Sequence, residues 1–536
     1  MTTNLNLIRD PWIPVRRRSG KRSYCAPWEI GASDDPVVAL AGPRADLDGG
    51  VVQLLIGLLQ AVLPPRDDDD WFDRVRRPPS SDELRQAFEP LAPAFELLGS
   101  GHRFQQDPRV AVSDAKPRAS EKLLIDLGLD EGADHFARVG SVGALCLPCA
   151  AAALATLQTS APAGGRGHLT GLRGGGPLTT LVVAAETPGD PEPPLWMTLW
   201  FNVLPTTAFP SSSDARAVPT AADLPTVFPW MASVDPEEPT RSPEVTPEDA
   251  HPLQVFFAMP RRLWLGSAET GECGLCGRAD VETILDYVTR PNGNRYSGAW
   301  LHPLSPYRRI KEELFSVKGY ENGLSYRNWL GLVVAPEGSD ALPAQVVREF
   351  LRDTERFSVA GELRLWAFGY AMDNMKAKAY TEARMPIYEV PPAISGAFAN
   401  EVRMLIEGAG LVEYYLRSSF KKLVARRVKD VKREPHQIAA RFWEATETPF
   451  YGLARTVLAA LDEGTDTTPH RQSWHRTLVD HARHLFEAEV SEADFRACDP
   501  GQVATAWNEL QRSLYGKKLK NQLDLPAAQT KKGVTP

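Results

Sequence analysis

The chain has 536 residues, 43% hydrophobic and 24% charged, which excludes a mostly disordered or fibrous protein and predicts two to four domains of about 100–200 residues. Sixty Lys and Arg against 68 Asp and Glu leave a net charge of −8, so any nucleic-acid role has to come from local basic patches. Six cysteines are too few for a disulfide framework, and the 45 prolines predict long irregular connections.

Leu5–Val15 reads as an extended strand interrupted by Pro11 and Pro14. Arg9 and Asp10 break the first apolar run, so no secretory signal is expected. The longest apolar stretches, Val51–Leu63 and Ala144–Leu157, fall short of the ~18–20 residues of a spanning helix, and a cytoplasmic protein with no membrane partner is expected. Val51–Leu63 is apolar around most of its circumference and should be a buried helix. The acidic run Asp67–Asp70 suits the N-terminus of a helix opening at Trp71 better than a metal site, which needs ligands arranged by spacing as well as number.

Glu121–Leu129 reads as a helix, followed by a loop to Cys146 and an Ala-rich helix at Cys149–Leu157. Strands are expected at Leu178–Ala184 and Leu195–Val203, and Pro205–Pro252 as a long surface excursion with little regular structure. Packed structure resumes at Gln254–Leu265. Pro386, Pro391 and Pro392 mark a boundary, placing a mixed α/β domain at 1–390, a helical domain at 391–525 and a flexible tail at 526–536. Four helical patterns, Ser395–Val431, Pro435–Leu461, Arg471–Glu489 and Gln502–Leu519, predict an up-down four-helix bundle. The fold class expected is α+β with a zinc knuckle in the first domain.

Cys146-Leu-Pro-Cys149 and Cys273-Gly-Leu-Cys276 supply four thiolates, the number a tetrahedral structural zinc requires, with no position left open for substrate. The metal would staple two distant segments and extrude the Pro-rich excursion between them. A redox pair or plain buried thiols are the alternatives, and a redox pair leaves the second C-x-x-C unexplained. Cys25 and Cys498 are left over as core residues.

Between Gly164 and Gly176 seven of thirteen residues are glycine. Such a loop is either a flexible connection or an anion nest of backbone N–H groups. It contains no Lys and so is not a nucleotide P-loop. A DNA backbone or groove edge is the other ligand it would suit, with Arg166, His168 and Arg173 supplying charge and donors. Arg417–Arg433 carries eight basic residues against Asp430, among them Lys421, Lys422, Arg426, Arg427 and Lys429, and Lys517, Lys518 and Lys520 end the fourth helix. Basic residues complement a helix C-terminus, but eight exceed that need and point to phosphate contacts. No H-E-x-x-H, G-x-S-x-G or deaminase motif is present, and no catalytic residues are assigned.

Several motifs in one order carry a resemblance over nearly the whole chain. They are Leu7-Ile8-Arg9-Asp10-Pro11-Trp12-Ile13-Pro14-Val15, Cys146/Cys149, Gly171-Leu172-Arg173-Gly174-Gly175-Gly176-Pro177-Leu178-Thr179-Thr180, Cys273/Cys276 and Trp300-Leu301-His302-Pro303-Leu304-Ser305-Pro306. Together they resemble the large subunit of the type I-E CRISPR Cascade complex, the CasA family. The resemblance implies a non-catalytic subunit at the end of the complex that holds the CRISPR RNA 5′ handle. It would contact other Cascade subunits, recognise the protospacer-adjacent motif (PAM) in double-stranded target DNA, begin strand separation against the displaced strand, and recruit the helicase–nuclease.

Residue by residue, the family's glycine loop falls on Gly164, Gly165, Arg166 and Gly167, next to His168. Its basic finger has no Lys between Cys276 and Lys311, leaving Arg290 or Arg295. Its strand-separating wedge falls on Asp373, Asn374 and Met375. Its guide-handle loop falls at 130–145, with Phe136 and Arg138 as the stacking and phosphate contacts. The competing reading is a zinc-containing, metal-dependent nuclease using Asp67–Asp70 or the scattered histidines.

Overall fold

Ala45–Val62 forms one 18-residue helix, nearly all of it buried. It begins six residues before the apolar run starts, because Asp46 and Asp48 occupy its first turn, where acids suit the helix dipole. By length and composition it could cross a membrane, but 89% of it is buried inside the fold. The structure, a computed structural model, describes residues 4–111, 114–127, 140–165, 167–209, 219–233, 237, 239–336, 338–373, 375–424, 436–491 and 499–526.

The chain divides into two units: Met1–Glu321 with Asp340–Ile387, and Asn322–Ser339 with Tyr388–Pro536. The first is mixed α+β and contains a cluster of four cysteines. Its longest strands form a hairpin, Leu363–Asp373 against Lys376–Ile387, with Thr179–Ala184 on the other side of the first strand. The register shifts between Ala371 and Met372, a bulge that bends the ribbon just before its tip. Near the tip the hairpin is tied inward. Tyr370 donates to the buried Asp46 carboxylate, Arg44 Nε donates to Asp46 at 2.8 Å, and Arg44 also pairs with Asp126 at 3.0 Å. Tyr370 and Ala377 pack with Ile125.

Asp48, two residues on in the same helix, accepts from Gly42 N at 3.1 Å. Burial, and then the Asp46 and Glu382 carboxylates, push the Asp48 carboxyl up to about 7 against that bond. The folded state therefore holds a proton that the unfolded chain releases above its ordinary value of 3.8. The contribution is complete below that value and is lost as pH rises through about 7. Asp48→Asn, which keeps an acceptor for Gly42, should flatten this fall. Chemical denaturation across the window should show the slope reduced by up to about 1.4 kcal/mol per pH unit.

Several elements differ from the sequence expectation. Leu195–Val203 is not a strand: Leu195–Trp200 is a helix capped by Pro194. Trp196 and Trp200, four residues apart, stack at 5.2 Å and 15° and donate to the carbonyls of Arg74 and Trp71. In its described part, 121–127, the expected helix Glu121–Leu129 is not formed: only Ser120–Leu123 makes a 3-10 turn. The buried Glu121 carboxylate instead accepts from the backbone of Gly140, Val142 and Gly143.

Leu5–Val15 is a strand only from Ile13, and that strand continues to Arg17 as the centre of a three-stranded sheet. The described part of the Pro-rich excursion has little regular structure, as expected, but its segment around Phe228–Trp230 is not extruded. Phe228 and Trp230 are buried with Phe95, Phe104 and Phe257, and Trp230 Nε1 donates to Ala94 O at 2.6 Å.

In the second unit the helices are Ser395–Val424, His436–Asp462, Thr468–Ser491 and Pro500–Leu514. Amphipathic spacing accounts for their shared core of Leu405, Val412, Phe420, Phe442, Phe450, Trp474, Leu478 and Leu510. The fourth helix stops at Leu514. Lys517–Gln522 is a separate short helix restarted after Gly516, so the three lysines lie on it and not on the fourth helix. Asn322–Ser339 belongs with these helices because Tyr326 stacks on Phe450 at 4.2 Å and shares a 2.8 Å hydrogen bond with Thr446.

Candidate metal centre and nucleic-acid interface

Cys146 ends a two-residue strand, and Cys149 sits in the first turn of the helix Leu147–Ser160, where the helix dipole favours a thiolate. Cys273 and Cys276 lie on a turn between the strands Ala268–Gly271 and Val281–Ile284. Thr283 pairs with Cys146 across the sheet, which brings the two C-x-x-C pairs together. The turn closes through Gly277 N to Cys273 O at 2.8 Å and docks through Gly274 N to Ala144 O at 3.0 Å. A Cβ at Gly274 would stand 1.5 Å from Val142 O, so only glycine allows this approach.

The four sulfurs lie within 4.8 Å of one another, and Cys146 Sγ is 3.7 Å from Cys276 Sγ. Metal–sulfur bonds of ~2.3 Å in a tetrahedron set sulfurs about 3.8 Å apart, so the donor set fits a tetrahedral ion. The Cys146 and Cys273 sulfurs, and then burial, push the Cys149 thiol up. Four thiolates this close repel one another unless a cation sits among them. Arg278, stacked over Tyr24 at 4.6 Å, adds a positive charge beside the cluster. Cys25 is buried, as expected of a core residue, and Cys498 lies outside the described residues.

The glycine loop is a tight turn: Gly164 N donates to His168 O and His168 N to Gly165 O, both at 2.9 Å. Gly167 has φ +82°, and a Cβ there would come 2.8 Å from Asn292 Oδ1. Asn292 N donates to Gly167 O at 3.0 Å, so the segment carrying Arg290 and Arg295 packs directly beneath the loop. A Cβ at Gly165 would stand 3.7 Å from Met375 Sδ. Glycine loop, 290s loop and hairpin tip therefore meet at one place.

Met375 is 50% exposed, and Asp373, also exposed, pairs with Lys376 in register and with Lys378 at 3.5 Å. Arg166 and Asn374 lie outside the described residues. Arg290 is committed to the Asp114 carboxylate, while Arg295 is exposed on a two-residue strand paired with Glu244–Val245. Burial, then Arg261 and Arg118, pull His168 down to about 4, so at neutral pH it offers a neutral ring and not a charge.

Arg173 does not face outward as a ligand-binding charge. It is 5% exposed, and its guanidinium donates to Gln53 Oε1, Ser305 Oγ at 2.9 Å and Thr179 Oγ1 at 3.1 Å. Ser305 in turn donates to Leu178 O, Thr180 N donates to Leu304 O, and Leu304 N donates to His302 Nδ1. The two motifs around Arg173 and His302 thus form one buried polar joint.

Asp67 caps the helix Asp68–Arg76, accepting from Asp70 N at 2.9 Å, and Asp68 pairs with Arg356 at 2.6 Å. The acidic run is used structurally. Among the described residues the four cysteines form the only metal-ligating group of three or more. In the basic segment Arg417 pairs with Glu413 at 3.2 Å and Lys421 is exposed. The Lys422 side chain, Arg426, Arg427 and Lys429 lie outside the described residues, as do Phe136 and Arg138.

The profile of the CRISPR-associated protein Cse1 family matches residues 6–485. This chain belongs to the Cse1 family. That family, also called CasA, is the large subunit of type I-E Cascade, the one its motifs resemble. Among solved structures, Cse1 of Thermobifida fusca aligns with a TM-score of 0.67 at 17% identity, over 97% of this chain and 98% of that one. Cse1 of Acidimicrobium ferrooxidans gives 0.66 at 17%, over 98% and 99%. A chain of a CRISPR RNA-guided surveillance complex gives 0.63 at 14%, over 96% and 100%. At these identities the likeness is one of fold.

Sequence reasoning missed three residues of the Cse1 glycine-loop neighbourhood. Asn292 supports Gly167, Lys318 donates to Gly175 O at 3.1 Å, and Arg261 donates to Pro162 O beside the loop. None has a local signal, since each acts on a segment more than ninety residues away.

Proposed function

We propose that this Cse1 chain recognises the PAM in duplex DNA, starts strand separation and recruits the helicase–nuclease within an RNA-guided surveillance complex. The observation that carries the reading is the convergence of three elements at one surface. The glycine loop packs on Asn292 and against Met375, Arg295 of the 290s loop is exposed, and the half-exposed Met375 at the hairpin tip suits a wedge that unstacks a base pair. Guide pairing reads the remaining sequence.

Phe136 and Arg138 contact the CRISPR RNA 5′ handle, and other Cascade subunits hold the protein in place. Lys421, Lys422, Arg426, Arg427 and Lys429 contact phosphates, including those of the displaced strand. The subunit is non-catalytic and cytoplasmic. A structural zinc held by Cys146, Cys149, Cys273 and Cys276 ties the strand end and helix start that carry the first pair to the turn that carries the second. The nuclease alternative is disfavoured by the four-cysteine donor set, which leaves no open coordination position, and by the structural use of Asp67–Asp70.

The test is Gly167→Leu in the assembled complex. Leucine at φ +82° is strained and collides with Asn292, and it also blocks the groove edge. Binding to PAM-bearing duplex should fall about tenfold or more, and binding to PAM-less duplex should fall much less. Equal weakening on both, measured by filter binding, would reduce the loop to a sequence-blind clamp.

A further inference from the structure

The pocket between the glycine loop and the hairpin tip is cationic. Its volume is about 90 Å³, and its walls include Lys122, Gly164, His168, Arg261, Met375 and Lys376 but, among the described residues, no Asp or Glu, in a chain of net charge −8. Arg261 is the most buried of the cations, 7% exposed. One of its terminal nitrogens donates to Pro162 O, its Nε has no partner, and among the described residues no carboxylate pairs with it. Arg118 acts on the same groups, repelling Arg261 and His168.

Burying a guanidinium without a counter-ion is costly, and the apolar walls, Leu124 and Leu263 among them, sharpen its field. A backbone staple to Pro162 could be served by a neutral donor and does not account for Lys122 and Lys376 on the same walls. The missing component is an anion about the size of one phosphate. Lys376 directly follows the hairpin tip, so that anion would sit where the proposed wedge meets DNA.

We propose that this pocket seats one phosphodiester group of the target duplex next to the PAM, with Arg261 as its buried cation and Lys122 and Lys376 at its walls. The proposal rests on the DNA-recognition reading above. It accounts for a cation that the glycine loop and wedge leave without a role, and it fixes the strand's register on the tip before opening.

The experiment uses the assembled complex and PAM-bearing duplexes carrying a single neutral methylphosphonate, moved one phosphate at a time across the PAM flank. The wild type should lose about tenfold in affinity at one position. Arg261→Gln should bind unmodified duplex about tenfold more weakly and lose its sensitivity at that position, and Arg261→Lys should keep part of it. If Arg261→Gln does not assemble, Lys122→Gln should shrink the same methyl effect.

An unchanged methylphosphonate profile in the assembled variants overturns the proposal. So does a variant that leaves the DNA profile intact but retains less guide RNA. A wild-type complex indifferent to the PAM would instead refute the DNA-recognition reading, and the wild-type arm alone reads that outcome.

Discussion

Cys273→Ser is expected to release the metal and destabilise the first unit. Three thiolates and a hydroxyl bind zinc far more weakly than four thiolates. The sheet that pairs Thr283 with Cys146 would then be held by backbone bonds alone. An ion present at a thousandfold excess over its Kd contributes about 4 kcal/mol of stability to the folded state, and losing it removes that contribution. The variant should contain less than one zinc per chain, melt at a lower temperature than the wild type, and no longer respond to added chelator. Wild-type protein purified without chelator should hold one zinc and should melt lower after chelation. Elemental analysis finding no metal in the wild type would refute the assignment.

Removing the proposed wedge should have the second large effect. Met375 lies just past paired strands that Tyr370 ties to Asp46 close to the tip, so a force applied there is resisted by an anchored ribbon. Unstacking one base step costs a few kcal/mol, so Met375→Gly should slow duplex opening about tenfold to a hundredfold. A target carrying a mismatched bubble beside the PAM should restore the rate.

Neutralising Lys421 and Lys422 should fail differently. On the proposed reading these lysines act through phosphate charge, so binding should weaken across sequences, with the salt slope reduced by roughly 0.9 for each phosphate no longer neutralised. A bubble should not rescue that defect. Stopped-flow opening and equilibrium binding at two salt concentrations separate the two outcomes. Rescue of neither variant, or an unchanged salt slope, would contradict the assigned roles.

Much of the site was legible because its chemistry is local. Each C-x-x-C pair puts two cysteines within one turn, and the glycines around Gly165 mark a loop that permits close backbone approach, though its tight turn is visible only in the structure. The helices of the second unit declare themselves by period. What was hidden depends on distant partners. Arg173, set in a glycine-rich loop, reads as a ligand-facing charge, yet Gln53 and Ser305, 120 and 132 residues away, draw it into the core. Leu195–Trp200 is rich in aromatics, which favour strands, but the stacking of Trp196 on Trp200 and their bonds to Arg74 and Trp71 decide for helix. Glu121 begins a plausible helix until its carboxylate is taken by three backbone N–H groups from residues 140–143. Trp230 lies in a stretch that composition marks as irregular, yet it sits in a short 3-10 turn, Pro229–Met231, and its indole fills an aromatic core.

The most direct test of PAM-triggered opening places 2-aminopurine at the first base pair beyond the PAM. The assembled complex would carry a guide mismatched to the adjoining target, so that guide pairing cannot itself open the duplex. Fluorescence should rise on binding PAM-bearing duplex, stay low on PAM-less duplex, and fall back toward the PAM-less level with Met375→Gly. An equal rise on both duplexes, or a rise unchanged by Met375→Gly, would contradict the account.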